Sequence, residues 1–246
     1  MTRLRKTLTV LLAAAVVSGP LVARGGATDL DVLGRDLETA TRAYDRGLAI
    51  TVLACIRRLN EERMSPAGAD LQARAALLAA EIERLAFEDA PPGQRAVRSE
   101  IGRRIDEAAD QGLIVLDRMS ESSERYRIEA DLLATKIRSD FRAKKFRKRF
   151  QAAVARALEL DEGNPRAWVT AAKPLAFAGP KRGGDLSEAV RLLDRALELA
   201  PGLESALLLR GLVWERRGDQ ARAEADWRAA LDANPQCKPA SVRLGL

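Results

Sequence analysis

The stretch Ala196-Leu197-Glu198-Leu199-Ala200-Pro201 recurs as Ala230-Leu231-Asp232-Ala233-Asn234-Pro235. The prolines that end the two stretches are 34 residues apart (235 − 201). A period of this size is typical of stacked helix–turn–helix units, none of which can bury its apolar face alone. The repeat therefore predicts a helical-repeat protein with a surface for holding another molecule, rather than an enzyme built around a catalytic pocket.

The unit 204–235 has the residues that two closely packed antiparallel helices require. Small residues let the helices approach, and aromatic residues fill the space beside the contact. These residues are Gly211, Ala223 and Ala230, with Trp214 and Trp227. Gly218 is placed to end the first helix and Asp219 to cap the second. Together with Pro235, this pattern resembles a tetratricopeptide repeat (TPR).

The preceding unit, 164–201, resembles the same repeat in a stretched form. The spacing from Ala157 to Ala196 is 39 residues (196 − 157), and the extra residues fall just before the turn Gly183-Gly184-Asp185. Pro174 lies inside the first helix of this unit, where its ring is predicted to kink or end the helix. A third unit, 123–162, is fainter, because Phe150 stands where the family has alanine.

The resemblance implies an all-α fold, a short α-solenoid of TPR-like helix pairs over 121–246 with a short C-terminal tail. Aromatic residues make up only 4% of the chain, which also favours helices over sheets. An irregular helical region over 28–120 precedes the solenoid. Its apolar residues follow helical spacing, but no period is readable there, and degenerate repeats stay open.

Histidine is absent from the chain, which excludes Ser-His-Asp and Cys-His catalysis and histidine-based zinc sites. No Gly-rich phosphate loop or nucleophile elbow is present. We therefore expect no enzymatic activity, no catalytic residue, no metal and no cofactor. The two cysteines, Cys55 and Cys237, are 182 positions apart (237 − 55). Two buried thiols are favoured, while a disulfide stays open in an oxidising compartment.

Residues 1–27 have the pattern of a secretory signal peptide. Arg3, Arg5 and Lys6 precede an apolar segment, 8–17, and small residues follow it up to Ala27. We expect an exported protein, periplasmic or secreted, with an uncleaved membrane anchor as the alternative. Cleavage after Ala27 would lower the formal net charge from +6 to +2 (37 − 35), so bulk basicity does not indicate a nucleic-acid partner.

The densest charge run, 141–150, carries six positive charges and no acidic residue. It predicts either a surface for anionic lipid headgroups or an acidic partner, or a solvated helix face anchored in the core by Phe141, Phe146 and Phe150. The candidates for an anionic surface are Arg142, Lys144, Lys145, Arg147, Lys148 and Arg149.

The resemblance also implies a concave groove lined by the first helix of each unit. The groove candidates are Arg166, Val169, Lys173, Phe177, Ser205, Leu208, Leu212, Glu215 and Arg216. Leu208, Leu209 and Leu212 stand where some TPR domains hold a peptide carboxylate with lysine and asparagine, so that binding mode is not expected. An apolar groove suits an amphipathic helix or an apolar ligand, unless the N-terminal helices cover it.

Export and the TPR resemblance together imply a protein–protein interaction or scaffold module of the cell envelope, with other envelope proteins or peptides as partners. The stretched unit with its Gly-Gly-Asp turn also resembles the TPR-like T components of TRAP uptake systems. The alternative is therefore a periplasmic accessory subunit that binds a small ligand or a solute-binding protein. An exposed groove at Leu208 and Leu212 would indicate a peptide partner, and an enclosed apolar cavity would indicate a small ligand.

Overall fold

The protein is described by a computed structural model that covers residues 28–179 and 183–246, apart from the side chain of Asp140. Within those residues the chain is helical and contains no strand. The predicted signal peptide, 1–27, and part of the stretched loop, 180–182, lie outside the described residues.

Eleven α-helices occur in the described part of the chain. They are α1 (Asp29–Ala43), α2 (Arg46–Glu62), α3 (Pro66–Asp89), α4 (Arg95–Leu113), α5 (Ser123–Lys136), α6 (Asp140–Leu160), α7 (Pro165–Phe177), α8 (Leu186–Leu199), α9 (Glu204–Arg216), α10 (Gln220–Ala233) and α11 (Lys238–Leu244). A short 3₁₀ turn, Leu116–Arg118, lies between α4 and α5. Side-chain caps fix many of the helix starts, because the first N–H groups of a helix have no partner within it. The Asn164 side chain, for example, accepts from the backbone N–H of Arg166 and Ala167 at the start of α7.

The helices stack as five successive pairs, α1–α2, α3–α4, α5–α6, α7–α8 and α9–α10, and α11 packs on the last pair. The first helices of consecutive pairs contact one another, as do the second helix of each pair and the first helix of the next. This is the arrangement of an all-α helical-repeat solenoid. The N-terminal region, where no period is readable, contributes two pairs that stack in the same way.

The close approach of α9 and α10 depends on a glycine. A Cβ atom on Gly211 would lie 2.7 Å from Cδ1 of Trp227, whose side chain is 1% exposed. Arg210 of α9 bridges α8 and α10. Its guanidinium donates to Asp194 Oδ1 at 2.6 Å and to both carboxylate oxygens of Asp226 at 2.7 and 2.9 Å.

The structure adds three local details to the expected fold. Helices α1 and α2 are separated at Tyr44, which has φ of 50°. Helix α7 does not end at Pro174 but continues to Phe177. Phe141 is not a core anchor, because 78% of it is exposed, whereas Phe150 is buried and Phe146 packs partly against the same apolar cluster.

The two cysteines belong to separate apolar clusters at opposite ends of the chain. Cys237 is buried with the C-terminal helices, and Cys55 is partly buried against α1–α3. Both are free thiols, so no disulfide joins them. No helix among the described residues combines the length and the apolar character needed to cross a membrane.

Candidate functional site: a cleft between the first helices

The first helices of the five pairs surround a cleft of about 480 Å³, here called the inner cleft. Its apolar lining is Leu37, Leu77, Leu78, Val169 and Leu203, with the ring of Tyr44. Its charged lining is Glu38, Arg42, Arg74, Glu81, Arg127, Asp131, Arg166, Lys173 and Glu204. Thr41, Thr170 and Ser205 complete it. The inner cleft therefore offers both apolar surface and charge to a bound molecule.

On α5 and α7, helical spacing places the cleft-lining side chains on the face of each helix that is turned towards the inner cleft. The fifth and ninth residues of α5 are Arg127 and Asp131, and those of α7 are Val169 and Lys173. Residues four apart lie above one another on a helix, so both pairs face the same side. The ninth residue of α3, Arg74, lines the same cleft. The repeat register thus continues into helices where the sequence shows it faintly or not at all.

The floor of the inner cleft is an ion cluster centred on Asp131, which is 3% exposed. Its Oδ1 atom accepts from Lys173 Nζ at 2.6 Å and from the Thr170 hydroxyl at 3.0 Å. Its Oδ2 atom accepts from Arg127 Nη1 at 2.6 Å. Lys173 and Thr170 thus link α7 to this carboxylate of α5, while Arg127 binds it from the same helix. Together they satisfy the hydrogen-bonding capacity of the buried carboxylate.

Two further carboxylates surround this cluster. Glu124 forms a bidentate pair with Arg127, at 2.7 and 2.8 Å. Glu81, from α3, lies with its Oε1 atom 3.4 Å from Lys173 Nζ. The cluster therefore joins the first helices of three successive pairs.

The environment of Asp131 acts on its pKa in opposite directions. Burial alone would raise the pKa, because it disfavours the charged form. The charges of Lys173 and Arg127, together with the hydrogen bonds from Lys173 and Thr170, outweigh burial and hold the pKa below its usual value. Burial likewise would lower the pKa of Lys173, but Asp131 and Glu81 raise it. Both groups are therefore charged at neutral pH.

Two arginines at the rim of the inner cleft are held only loosely. Arg166 Nη1 lies 3.9 Å from Glu124 Oε1, and Arg74 Nη1 lies 3.7 Å from Asp70 Oδ2. Their side chains are 58% and 41% exposed. Neither distance is that of a strong hydrogen bond, so both guanidinium groups keep donors for an incoming acceptor.

The N-terminal pair closes the inner cleft by contacting the last pair. The Tyr44 hydroxyl donates to Glu204 Oε1 at 2.5 Å. The Asn234 side chain donates to Glu204 Oε2 at 2.8 Å and to the carbonyl oxygen of Arg42 at 3.1 Å. We call this group of contacts the closure. Burial and the hydrogen bond to Glu204 raise the pKa of Tyr44, so its hydroxyl keeps its proton at neutral pH.

Four of the groove candidates, Arg166, Val169, Lys173 and Ser205, line the inner cleft. The other five lie elsewhere. Leu208 and Leu212 pack partly buried against the C-terminal apolar cluster, and Phe177 is 49% exposed outside the cleft. Glu215 pairs with Arg243 of α11, and Arg216 donates to the carbonyl oxygen of Ala176.

The predicted groove positions omit Arg127, Asp131 and Thr170, as well as the contributions of α1 and α3. Arg127 and Asp131 occupy the positions of α5 that correspond to Val169 and Lys173 of α7. Applying the groove positions to the faint unit 123–162 would have found them. Among the described residues, no group of three Cys, Asp or Glu side chains is placed to hold a metal ion.

The basic run 141–150 lies on α6, the second helix of the third pair, away from the inner cleft. Two of its cations form ion pairs with neighbouring helices. Arg142 pairs with Asp106 at 2.8 Å, and Arg149 pairs with Glu129 at 2.7 Å. Lys144, Lys145, Arg147 and Lys148 are exposed.

No protein-family model and no curated protein sequence matches the chain. Among solved structures, a thermophilic TPR protein of Thermus thermophilus is similar over 87% of this chain and 97% of its own, with 13% identity and a TM-score of 0.57. The HusA haemophore from Porphyromonas gingivalis is similar over 88% of this chain and 98% of its own, with 15% identity and a TM-score of 0.54. YrrB, a TPR protein with an unusual peptide-binding site, aligns over 88% of this chain and 100% of its own, with 18% identity and a TM-score of 0.41. The likeness to the Thermus thermophilus protein shows that the fold is TPR-like.

Proposed function

We propose that this protein is an interaction module that binds a segment of a partner polypeptide in the inner cleft. The observation that supports it is the convergence of five first helices on one cleft whose lining combines leucine and valine side chains with charged groups. Binding sites of this kind use apolar contact for affinity and a few placed polar groups for orientation. The loosely held guanidinium groups of Arg74 and Arg166 supply such donors.

The lining favours a segment with acidic side chains over a purely apolar helix. The ion cluster at the floor is already satisfied by its own partners, so a ligand need not neutralise it. Arg74 and Arg166 instead offer charge-assisted hydrogen bonds to a carboxylate, which are stronger than neutral ones. The leucine groove at Leu208 and Leu212, half-buried in the protein's own core, offers less surface to a partner.

Site-specific photo-cross-linking tests this proposal. Ser205, at the start of α9 and lining the inner cleft, is replaced by p-benzoylphenylalanine, and the protein is irradiated in living cells. We expect a cross-linked polypeptide whose yield falls when Arg166→Glu is added. Ser187, at the start of the outer helix α8, is the matched control position. Equal cross-linking from both positions, or none from Ser205, would contradict binding in the cleft.

A small ligand is the second candidate, as expected of a periplasmic accessory subunit of a solute uptake system. The observation that favours it is the closure, which makes the N-terminal pair and the last repeat share one cleft of about 480 Å³. Ligand pockets are commonly about 300–1,000 Å³. Native mass spectrometry of the protein purified from its own cells distinguishes the two candidates. A bound molecule of a few hundred daltons, absent from the Lys173→Met variant, would favour the small ligand.

We further propose that the module works in the cell envelope, on other envelope proteins or their peptides. The support is the sequence pattern of residues 1–27. Fusion of the full chain to alkaline phosphatase tests this, because that enzyme needs disulfides that form only outside the cytoplasm. We expect phosphatase activity from the fusion and its loss with Leu11→Arg and Leu12→Arg, which interrupt the apolar segment. Equal activity with and without these substitutions would refute an export signal at this position.

A further inference from the structure

Helix α6 presents an exposed face that the fold does not use. Phe141, Lys144, Lys145 and Lys148 follow the spacing i, i+3, i+4 and i+7, so they lie on one side of the helix. All four are exposed. Because α6 is a second helix of its pair, this face is on the outside of the solenoid, and the inner cleft lies elsewhere. We call it the outer basic face.

Among the described side chains, none forms an ion pair with the lysines of this face. Arg142 and Arg149, the basic residues of the run that form ion pairs, lie off this stripe of side chains. In the described part of the chain, no carboxylate lies within ion-pair distance of Lys144, Lys145 or Lys148. Arg147, beside the stripe, is likewise exposed and without such a partner there. The outer basic face therefore carries concentrated positive charge that is open to an external anion.

The aromatic residue on this face also has no role in packing. Phe150 of the same helix is 6% exposed and packs with Ala130, Leu133 and Ala153, while Phe141 is 78% exposed. A phenylalanine ring in water is unfavourable, and burying such a ring contributes about 1.5–3 kcal/mol. A partner for this face should therefore offer apolar surface beside negative charge.

We propose that the outer basic face binds the surface of an anionic lipid bilayer, with Phe141 inserted at the boundary between headgroups and acyl chains. Lysine ammonium groups are mobile point charges that suit fluid phosphate headgroups, and an aromatic ring beside them suits the interface. The face is the exposed, convex side of a single helix, which fits a broad surface better than a folded protein partner. This binding would leave the inner cleft free, so it is independent of the proposed interaction with a polypeptide.

Vesicle flotation of the full chain tests the proposal. We expect binding to vesicles of phosphatidylcholine with about 30% phosphatidylglycerol, weaker binding at high salt, and little binding to phosphatidylcholine alone. Replacing Lys144, Lys145 and Lys148 by glutamine should lower the partition coefficient about 100-fold, because each basic residue near an anionic surface adds about a fivefold factor. Phe141→Ser should lower it about tenfold.

A matched control removes the same charge from another surface. Arg191, Arg195 and Arg228 are each paired with a glutamate of their own helix, and their replacement by glutamine leaves α6 intact. This variant should bind nearly as well as the unchanged protein. An equal loss of binding in both triple variants would refute a specific face and leave only net charge as the cause. Residues 1–27 are the same in every variant, so a difference in vesicle binding between variants cannot come from them.

A second measurement locates position 141 directly. The Phe141→Trp variant adds one fluorophore, and brominated acyl chains quench tryptophan only on contact. We expect quenching beyond that of the unchanged protein with anionic vesicles and not with neutral ones. Binding without extra quenching would refute the insertion of this side chain, and competition by an acidic polypeptide at equal charge would favour a protein partner instead.

Discussion

At the scale of single residues, Asp131 is the group on which the inner cleft depends most. It is buried and holds Arg127 on its own helix and Lys173 on the next pair. A buried ion pair adds little net stability over an apolar pair, but removing one member leaves an uncompensated charge in a poorly solvated place. Asp131 faces two cations, so its loss would leave both without their shared partner.

Replacing Asp131 by alanine should therefore lower the free energy of unfolding by about 3–5 kcal/mol. The measurement is urea denaturation followed by circular dichroism. Arg166→Met is the control, because this side chain is 58% exposed and its nearest carboxylate oxygen is 3.9 Å away. It should change the free energy of unfolding by less than about 0.5 kcal/mol. A loss below about 1 kcal/mol in Asp131→Ala would contradict the importance of the cluster.

The same carboxylate makes stability depend on pH. The pKa of Asp131 is lower in the folded protein than in the unfolded chain, despite burial, because Lys173 and Arg127 favour the charged form. A lowered pKa contributes stability that is present above the unfolded pKa, about 3.9, and is lost as the pH falls through the folded value. The free energy of unfolding should thus decline as the pH is lowered below about 4.

Comparison with Asp131→Asn isolates this contribution, because asparagine does not titrate. Denaturation at a series of pH values should give a shallower decline for the variant, while Glu81, Glu124 and the other carboxylates titrate in both proteins. Parallel curves for the two proteins would show that Asp131 has the same pKa folded and unfolded.

At the scale of helices, the sequence predicts a helix end well where a capping side chain, a proline or a glycine turn determines it. The glycine turn before Asp219 separates α9 from α10 as expected. Ser65 and Asn164 cap helices whose first residue is proline, a start signal of the same local kind. The small-residue pattern predicted the contact of Gly211 with the facing helix. The break at Tyr44 could not be predicted in this way, because a left-handed backbone is unusual for tyrosine. The N–H of Asp45 donates to the carbonyl oxygen of Ala40 at the end of α1, and the Tyr44 hydroxyl donates to the distant Glu204.

Two glycines in helices should respond to alanine in opposite ways. Gly211→Ala places a Cβ atom 2.7 Å from Cδ1 of Trp227, so the helices must shift, at a cost of about 1–3 kcal/mol. Gly34, in the middle of α1, has no atom within 4 Å of the position that an added methyl group would take, so Gly34→Ala should stabilise by about 0.5–1 kcal/mol. Thermal unfolding of both variants checks the pair. If the melting temperatures of the two variants shifted by similar amounts in the same direction, the close contact of α9 with α10 would be contradicted.

The inner cleft was less predictable than the helices that form it. Lys173 and Arg166 could be placed in the groove from the register of α7, but their partners Asp131 and Glu124 lie on α5, in the faint unit. Their meeting depends on how the pairs stack, which the spacing within one helix does not determine. The contribution of α1 to the lining of the cleft depends in turn on how all five pairs stack.

At the scale of the whole molecule, the closure joins the two ends of the solenoid. The contacts among Tyr44, Glu204 and Asn234 span almost the full length of the described chain. A solenoid otherwise has contacts only between neighbouring pairs, so its end pairs can open independently. The closure couples the first pair to the last beside the inner cleft.

Tyr44→Phe should loosen this coupling while leaving the apolar contacts of the ring in place. Loss of a hydrogen bond to a carboxylate costs about 1.5–3 kcal/mol, so amide hydrogen exchange in α1 should become at least about tenfold faster. Exchange in α5 and α6 should be unchanged. Tyr126→Phe is the control, because its hydroxyl makes only a long, exposed contact of 3.4 Å with Glu121. Unchanged exchange in α1 would show that the closure does not hold the first pair.

The closure also places a buried cysteine where its chemical reactivity can report local opening of the structure. Cys237 is fully buried beside Glu204 and Tyr44, and burial, followed by Glu204, raises its pKa to about 12. Its thiol can react with a maleimide only when a neighbouring element moves away, either the first pair at Tyr44 or α11, at whose start Cys237 lies. In a Cys55→Ser background, the increase in the labelling rate at Cys237 caused by Tyr44→Phe therefore measures opening of the closure, and a molecule that occupies the inner cleft should slow the labelling.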